Sequence, residues 1–278
     1  MSDTAAGRAE KFGYEFCLES YGVVVKIQSN TEKLLAEAQE TAKRALVDRL
    51  KFFDSNSETV VHSYGLIEDN AGGLFLYKDN VLFTDGGSKY VFLKFFNSML
   101  RLTVAEHAPE HVFLHSGVVG WNGKAIIVPA NSFHGKTTLI AELVRSGAEY
   151  YSDEYAVLDK DGRVHPFPRM LSIRNDEGTR EDDISVEEFG GKAGIEPIEV
   201  GMVLVTKYED GSEWNPKFLS AGEGMMEIIP HTVPLRANPE FSLGVLRKVT
   251  NGAIIVKSPR PEAAEFAKTL LDFFDKNN

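Results

Sequence analysis

Apolar and polar positions sort the first part of the chain into short extended runs and two long helical ones. "YEFCL" and "GVVVKIQ" are rich in aromatic and β-branched residues and predict two strands. A long helix is expected from about Thr31 to Phe53, its start marked by Ser29 and Glu32 at capping-box spacing. "ETVVHSYGLI", "GLFLYK" and "NVLFT" predict three further strands, with Asp79-Asn80 as a tight hairpin turn between the last two. "KYVFLKFFNSMLRLTVAEHA" predicts an apolar-rich helix that ends near Pro109. Residues 1–108 therefore read as an N-terminal α+β domain whose role the sequence does not give.

Residues 109–278 are denser in strands and read as a second, α/β domain. "VFLHSGVVGW" and "GKAIIVPA" predict strands joined by a turn at Asn122-Gly123. The helix "KTTLIAELVRSG" follows, with Leu139, Ile140, Leu143 and Val144 on one stripe and Gly147 as its stop. "EYYSDEYAVLD" and "RVHPF" are expected to flank a hairpin at Asp161-Gly162. Residues 175–196, charged and Gly-rich, read as a long loop or lid. "VGMVLVTK" and "AIIVKS" predict strands. Ser220 and Glu223 have the spacing that caps a short helix. Pro239 and Pro261 stand where first helical residues stand, opening two more helices.

Composition narrows the class. The chain has 278 residues, 43% hydrophobic and 26% charged, with a net charge of −11. That is ordinary globular composition, and the acidic balance argues against nucleic acid or an anionic membrane as partner. A single cysteine, Cys17, excludes an internal disulfide framework and suits a reducing compartment. "MSDTAAGRAEKFGYEF" has no apolar core of a signal peptide, and no apolar run approaches membrane-spanning length. A cytoplasmic location is expected.

The chemistry concentrates in "IIVPANSFHGKTTLIAELVRSGAEYYSDEYAVLD". A phosphate needs backbone N–H donors on a tight turn, a helix N-terminus behind it and a mobile cation, which the pattern G-x-x-x-x-G-K-[ST] supplies. Here the eight positions are Ala130, Asn131, Ser132, Phe133, His134, Gly135, Lys136 and Thr137, with Ala in place of the first Gly. Lys136 would reach the β- and γ-phosphates, the Thr137 hydroxyl would bind Mg²⁺, and N–H groups from about Phe133 to Thr138 would wrap the β-phosphate. Asp153 and Glu154 follow on the next predicted strand, where a nucleotide site needs a carboxylate for metal and a kinase needs a base for a hydroxyl proton. Neighbours on a strand point to opposite faces, so only one would face the phosphate unless the strand ends or bulges there. His107, His111 and His115 form H-x3-H-x3-H, a spacing that suggests zinc on a helix, but Pro109 breaks the helix between them.

"LHSGVV", "GKAIIVPANSFHGKTTLIAELVRSGA" and "YYSDEYAVLD" together resemble the kinase domain of bacterial HPr kinase/phosphorylase, in the same order and with similar gaps. The resemblance is good over about 113–174 and weaker beyond. It implies a mixed-sheet P-loop kinase domain of the HPr kinase/phosphoenolpyruvate carboxykinase type, using ATP (or GTP) and Mg²⁺, and a homo-oligomer. It also implies roles. His115 falls on the family's strand histidine, Lys136 and Thr137 on the P-loop lysine and metal-binding hydroxyl, Asp153 on the catalytic base/acid, and Glu154 on a second, metal-holding acid. Two features depart from the family. Phe133 stands where Gly is usual and must aim its side chain away from the phosphates. The signature with which HPr kinases bind HPr is not found toward the C-terminus.

Two functions follow. One is a kinase moving the γ-phosphate of the nucleotide to a hydroxyl, most simply serine, of a protein, peptide or small molecule. The other is a non-catalytic nucleotide-binding regulator or scaffold whose N-terminal domain binds a partner. A carboxykinase-like decarboxylase is set aside, because no paired Arg/Lys/His metal constellation is present.

Overall fold

A computed structural model of the chain describes residues 12–47, 49–53, 60–129, 135–174 and 181–278. The chain divides into two compact units, Met1–Pro109 and Glu110–Asn278.

The first unit runs β1 (Tyr14–Ser20), β2 (Val23–Ser29), α1 (Glu32–Leu46), β3 (Lys51–Phe53), β4 (His62–Glu68), β5 (Leu74–Lys78), β6 (Val81–Asp85) and α2 (Lys89–His107). Its sheet has the order β3-β1-β2-β4-β5-β6. All neighbours are antiparallel except β2 and β4, which are parallel because α1 carries the chain across. β2 buries Val23, Val25 and Ile27 at every second position. The stripes Leu34, Ala38, Ala42 of α1 and Phe92, Phe96, Leu100 of α2 are also buried. Asp79 and Asn80 have φ of 49° and 65°, the left-handed pair that a two-residue hairpin requires.

The second unit runs β7 (Val112–Trp121), β8 (Lys124–Pro129), α3 (Lys136–Arg145), β9 (Glu149–Ser152), β10 (Tyr155–Leu158), β11 (Val164–His165), β12 (Leu171–Arg174), β13 (Glu181–Ile184), β14 (Glu199–Tyr208), β15 (Lys217–Phe218), α4 (Ala221–Ile228), α5 (Pro239–Gly252), β16 (Ile254–Arg260) and α6 (Ala263–Asn277). Among the described residues its main sheet follows the order β11-β10-β7-β8-β14-β16-β15, with β9 also on β7. β8, β14 and β16 are parallel; the flanking strands are antiparallel to their neighbours. The core follows from strand alternation. Ile126, Val128, Met202 and Leu204 meet Leu139, Leu143, Phe266 and Leu270 of α3 and α6. Ala125, Ile127 and Val203 face the other way, toward Ile228, Leu246 and Val249 of α4 and α5. The result is a mixed α/β, three-layer unit, the expected fold class.

One glycine sets the distance between two of these layers. A Cβ on Gly117 would lie 2.5 Å from Ile140 Cγ1 and 3.1 Å from Lys136 Cγ, so the bare backbone of β7 lets the first turns of α3 settle against it.

Several sequence expectations change. The first helix stops at Leu46, where Val47 adopts φ 48°, because Lys51–Phe53 pairs with Glu19–Cys17 instead. Its N-cap is Thr31, whose hydroxyl accepts from Leu34 N–H; Ser29 Oγ accepts from Thr31 N–H one step outside. The final helix starts at Ala263, so Pro261 stands just before it rather than at its first position. Of the charged segment read as a loop or lid over 175–196, residues 175–180 lie outside the described residues, and structure is formed in the rest. β13 pairs with β12, Ser185 and Glu188 form a capping box on a 3-10 turn at Val186–Phe189, and residues 192–194 bond Tyr150 on both sides. "EYYSDEYAVLD" is two strands, not one.

Candidate active site

The site is assembled at the start of α3. Gly135 is the N-cap residue, with φ 74°, and among the described residues no side chain caps the helix. No acid stands in the first turn; the first helical residue is Lys136. Four backbone N–H groups at such a start have no partner within the helix. The Lys136 side chain runs back over β7. Its Nζ lies 3.3 Å from His115 Nε2, which accepts in the tautomer protonated at Nδ1. His115 is positioned by β7, opposite Tyr155 in the β10 register, with the two rings 6.2 Å apart.

Thr137, next in the helix, donates its hydroxyl to Asp153 Oδ2 at 2.8 Å. Asp153 reaches it because the strand breaks. β9 pairs with Val118–Gly120 and β10 with Val112–His115, leaving Asp153 and Glu154 as a bend outside both ladders, between two stretches on the same partner. Ser152 Oγ holds the bend by accepting from Glu154 N–H and Tyr155 N–H, each at 3.0 Å, while Ser116 N–H donates to Glu154 O. The strict alternation that would send one carboxylate to the opposite face therefore does not apply. Glu154 instead meets Arg169, with Oε2 3.1 Å from Nη1. The Arg169 backbone is itself tied by the Tyr150 hydroxyl, which donates to its carbonyl at 2.7 Å.

Burial controls the electrostatics. It pushes the Asp153 carboxyl up to about 6, against the opposing pull of Lys136 and the Thr137 hydrogen bond. It also pulls Lys136 below the usual lysine range, although Asp153 and Glu154 favour its charge. Asp153 Oδ1 is enclosed and has no hydrogen-bond partner among the described residues. An orphaned carboxylate oxygen beside a threonine hydroxyl is a hard-oxygen donor pair, which fits Mg²⁺ held by one or two side chains plus phosphate oxygens. Thr137 and Asp153 would hold it, with Glu154 joining by exchange from Arg169. Among the described residues no group of three or more His, Cys, Asp or Glu converges as an all-protein metal cage. The three spaced histidines go separate ways: His107 stacks on His62, His111 meets His165 edge-on, and His115 meets Lys136.

Of the residues singled out by sequence, the structure brings together His115, Lys136, Thr137 and Asp153, with Glu154 adjacent. Thr138 is exposed in the first turn of α3. Ala130, Asn131, Ser132, Phe133 and His134 lie outside the described residues. Sequence reasoning missed Arg169, Ser152 and Arg260. Arg260 is buried at the end of β16 and donates through Nη2 to Gly135 O at 2.8 Å. None of the three sits at motif spacing. Only the Pro-flanked "PFPRM" and "SPRPE" mark the two arginines as fixed in place.

No family model matches the chain, and no curated protein matches it in sequence. Among solved structures it is similar to the Hpr(Ser) kinase/phosphatase from Coxiella burnetii. The match has 14% identity and a TM-score of 0.37, and covers 59% of this chain and 96% of that one. At that level the chemistry has to be read from the residues of the site itself. No helix among the described residues is long and apolar enough to cross a membrane.

Proposed function

We propose that the chain is a Mg²⁺- and ATP-dependent kinase that transfers the γ-phosphate to a hydroxyl, serine being the simplest acceptor, of a protein, peptide or small molecule. The observation that carries this reading is the Thr137–Asp153 hydrogen bond at 2.8 Å. It joins the hydroxyl of the Gly-Lys-Thr motif to a carboxylate held for proton work, directly beside Lys136. Mg²⁺, when bound, supplies charge neutralisation on the β- and γ-phosphate oxygens.

The residues divide the remaining work. Uncapped N–H groups at the start of α3 and the Lys136 ammonium bind the phosphates. His115, against Lys136 Nζ, fixes where that cation points. Asp153 takes the proton of the acceptor hydroxyl as the new oxygen–phosphorus bond forms. The bond from the γ-phosphorus to the bridging oxygen breaks, and ADP leaves with that electron pair. Burial raises the Asp153 carboxyl above the usual carboxylate range, in the direction a general base needs.

The test is single-turnover chemistry with γ-labelled ATP and Mg²⁺, in the presence and absence of serine-bearing acceptors. Label appearing on an acceptor, with ADP formed in step, supports the kinase. Saturable nucleotide binding with no label transferred to any acceptor favours a nucleotide-sensing regulator instead.

A further inference from the structure

Arg260 has no place in the chemistry above, yet it is among the largest fully buried side chains, only 2% exposed. It forms no ion pair with a carboxylate among the described residues. Its guanidinium is spent on two carbonyls, Gly135 O at 2.8 Å and Pro261 O at 2.9 Å, and on the face of Tyr208, 5.6 Å from the ring centre. A buried cation without an anionic partner is costly, and one bonded to carbonyls keeps its full charge. Glu262 favours its charge electrostatically without forming an ion pair with it.

Its location explains what that charge is for. β8, β14 and β16 are parallel, so their carboxyl ends share one edge of the sheet, where ligands of open α/β sheets bind. Tyr208 and Arg260 are opposite one another in register at the last positions of β14 and β16. From there Arg260 reaches the residue that opens α3. The contact is close: a Cβ on Gly135 would lie 2.6 Å from Arg260 Nη2, and Gly135 holds φ 74°. Position 135 thus favours glycine by its dihedral, and any side chain there would also displace the Arg260 guanidinium.

We infer that Arg260 is the positioning residue for the nucleotide's polyphosphate: it pins Gly135 so that the start of α3 keeps its open form, and it places a second, fixed cation one residue from Lys136. The inference rests on the nucleotide reading above. It assigns to β16, 125 positions away in sequence, a part of the phosphate site that the Gly-Lys-Thr motif does not contain.

The test compares Arg260→Gln, which keeps hydrogen-bonding capacity but loses charge, with Arg260→Lys, which keeps charge but cannot span both carbonyls. Folding is checked by circular dichroism and thermal unfolding, and Mg-ATP binding is followed by calorimetry. Arg260→Gln is expected to weaken Mg-ATP binding about tenfold or more, the scale of one lost charged interaction. KM for ATP should rise far more than kcat falls, and the loss should shrink at high salt. Arg260→Lys should recover part of the affinity. Wild-type affinity in folded Arg260→Gln would overturn the inference. If that variant does not fold, wild-type KM in Arg260→Lys would overturn it. Lys136→Ala, measured alongside, separates the two readings. Binding lost there but kept in Arg260→Gln removes only the role of Arg260. No binding by the wild type removes both.

Discussion

Two helix starts in this chain are built in opposite ways. At α1, Thr31 supplies a hydroxyl to Leu34 N–H, and Glu32 puts an acid in the first turn against the helix dipole. At α3, a glycine in the left-handed region replaces the capping side chain, no acid is present, and a lysine adds positive charge where the dipole already is positive. The first start is complete by itself. The second lacks the stability that an ordinary capping side chain would contribute, and has Lys136, Thr137, a buried carboxylate and a buried arginine around it. On the function proposed above, the difference separates a helix that only holds a fold from one that receives an anion. α5 and α6 also lack a capping side chain, but each has an acid in its first turn, Glu240 and Glu265, and α5 opens on proline.

Breaking the second start should have the largest effect. Lys136→Ala removes the mobile cation and is expected to abolish phosphoryl transfer in the labelled-ATP assay while leaving the protein folded, because the buried Asp153 carboxyl can take up a proton when its neighbouring cation is gone.

Asp153→Asn comes next, with a loss of transfer of about 10²–10⁴ and Mg-nucleotide binding retained. It also carries a pH signature in stability. The folded carboxyl titrates near 6, above its unfolded range. Its contribution is therefore fully present below about pH 4 and is lost as pH rises through 6, an upper bound of about 3 kcal/mol. In denaturant melts of the ligand-free protein, Asp153→Asn should equal or exceed the wild type at pH 7–8, and that advantage should vanish toward pH 4. Glu154→Gln should act differently, raising the Mg²⁺ concentration needed for half-maximal turnover and loosening the Arg169 contact without removing the base.

The smallest effect sharpens the contrast from the other side. Thr31→Ala should cost about 1 kcal/mol of stability, as loss of a helix cap does, and should leave nucleotide binding untouched. Urea unfolding measures the first and calorimetry the second.

Much of this was legible in the sequence because it is local. The Gly-Lys-Thr at the start of an amphipathic helix, the Asp79-Asn80 and Asn122-Gly123 turns and the Ser220–Glu223 capping box all depend on neighbours within a few residues. What failed depends on distant partners. "VDRLKFF" continues a helical composition, but Cys17 opposite Phe53 in the β1–β3 ladder makes the last three residues a strand. "YYSDEYAV" reads as one strand, and only the two separate registers on β7 and the Ser152 hydroxyl show that it breaks at the acidic pair. Arg169 and Arg260 reach Glu154 and Gly135 across 15 and 125 positions, so no spacing rule could name them.

The central claim is that the start of α3 is an open phosphate site and the start of α1 is a closed one. Calorimetric titration of Mg-ATP into the wild type, Lys136→Ala and Thr31→Ala tests it most directly. Saturable binding in the wild type and in Thr31→Ala, lost in Lys136→Ala, is the expected result. Equal binding by Lys136→Ala and the wild type, or no binding by any of the three, would contradict it.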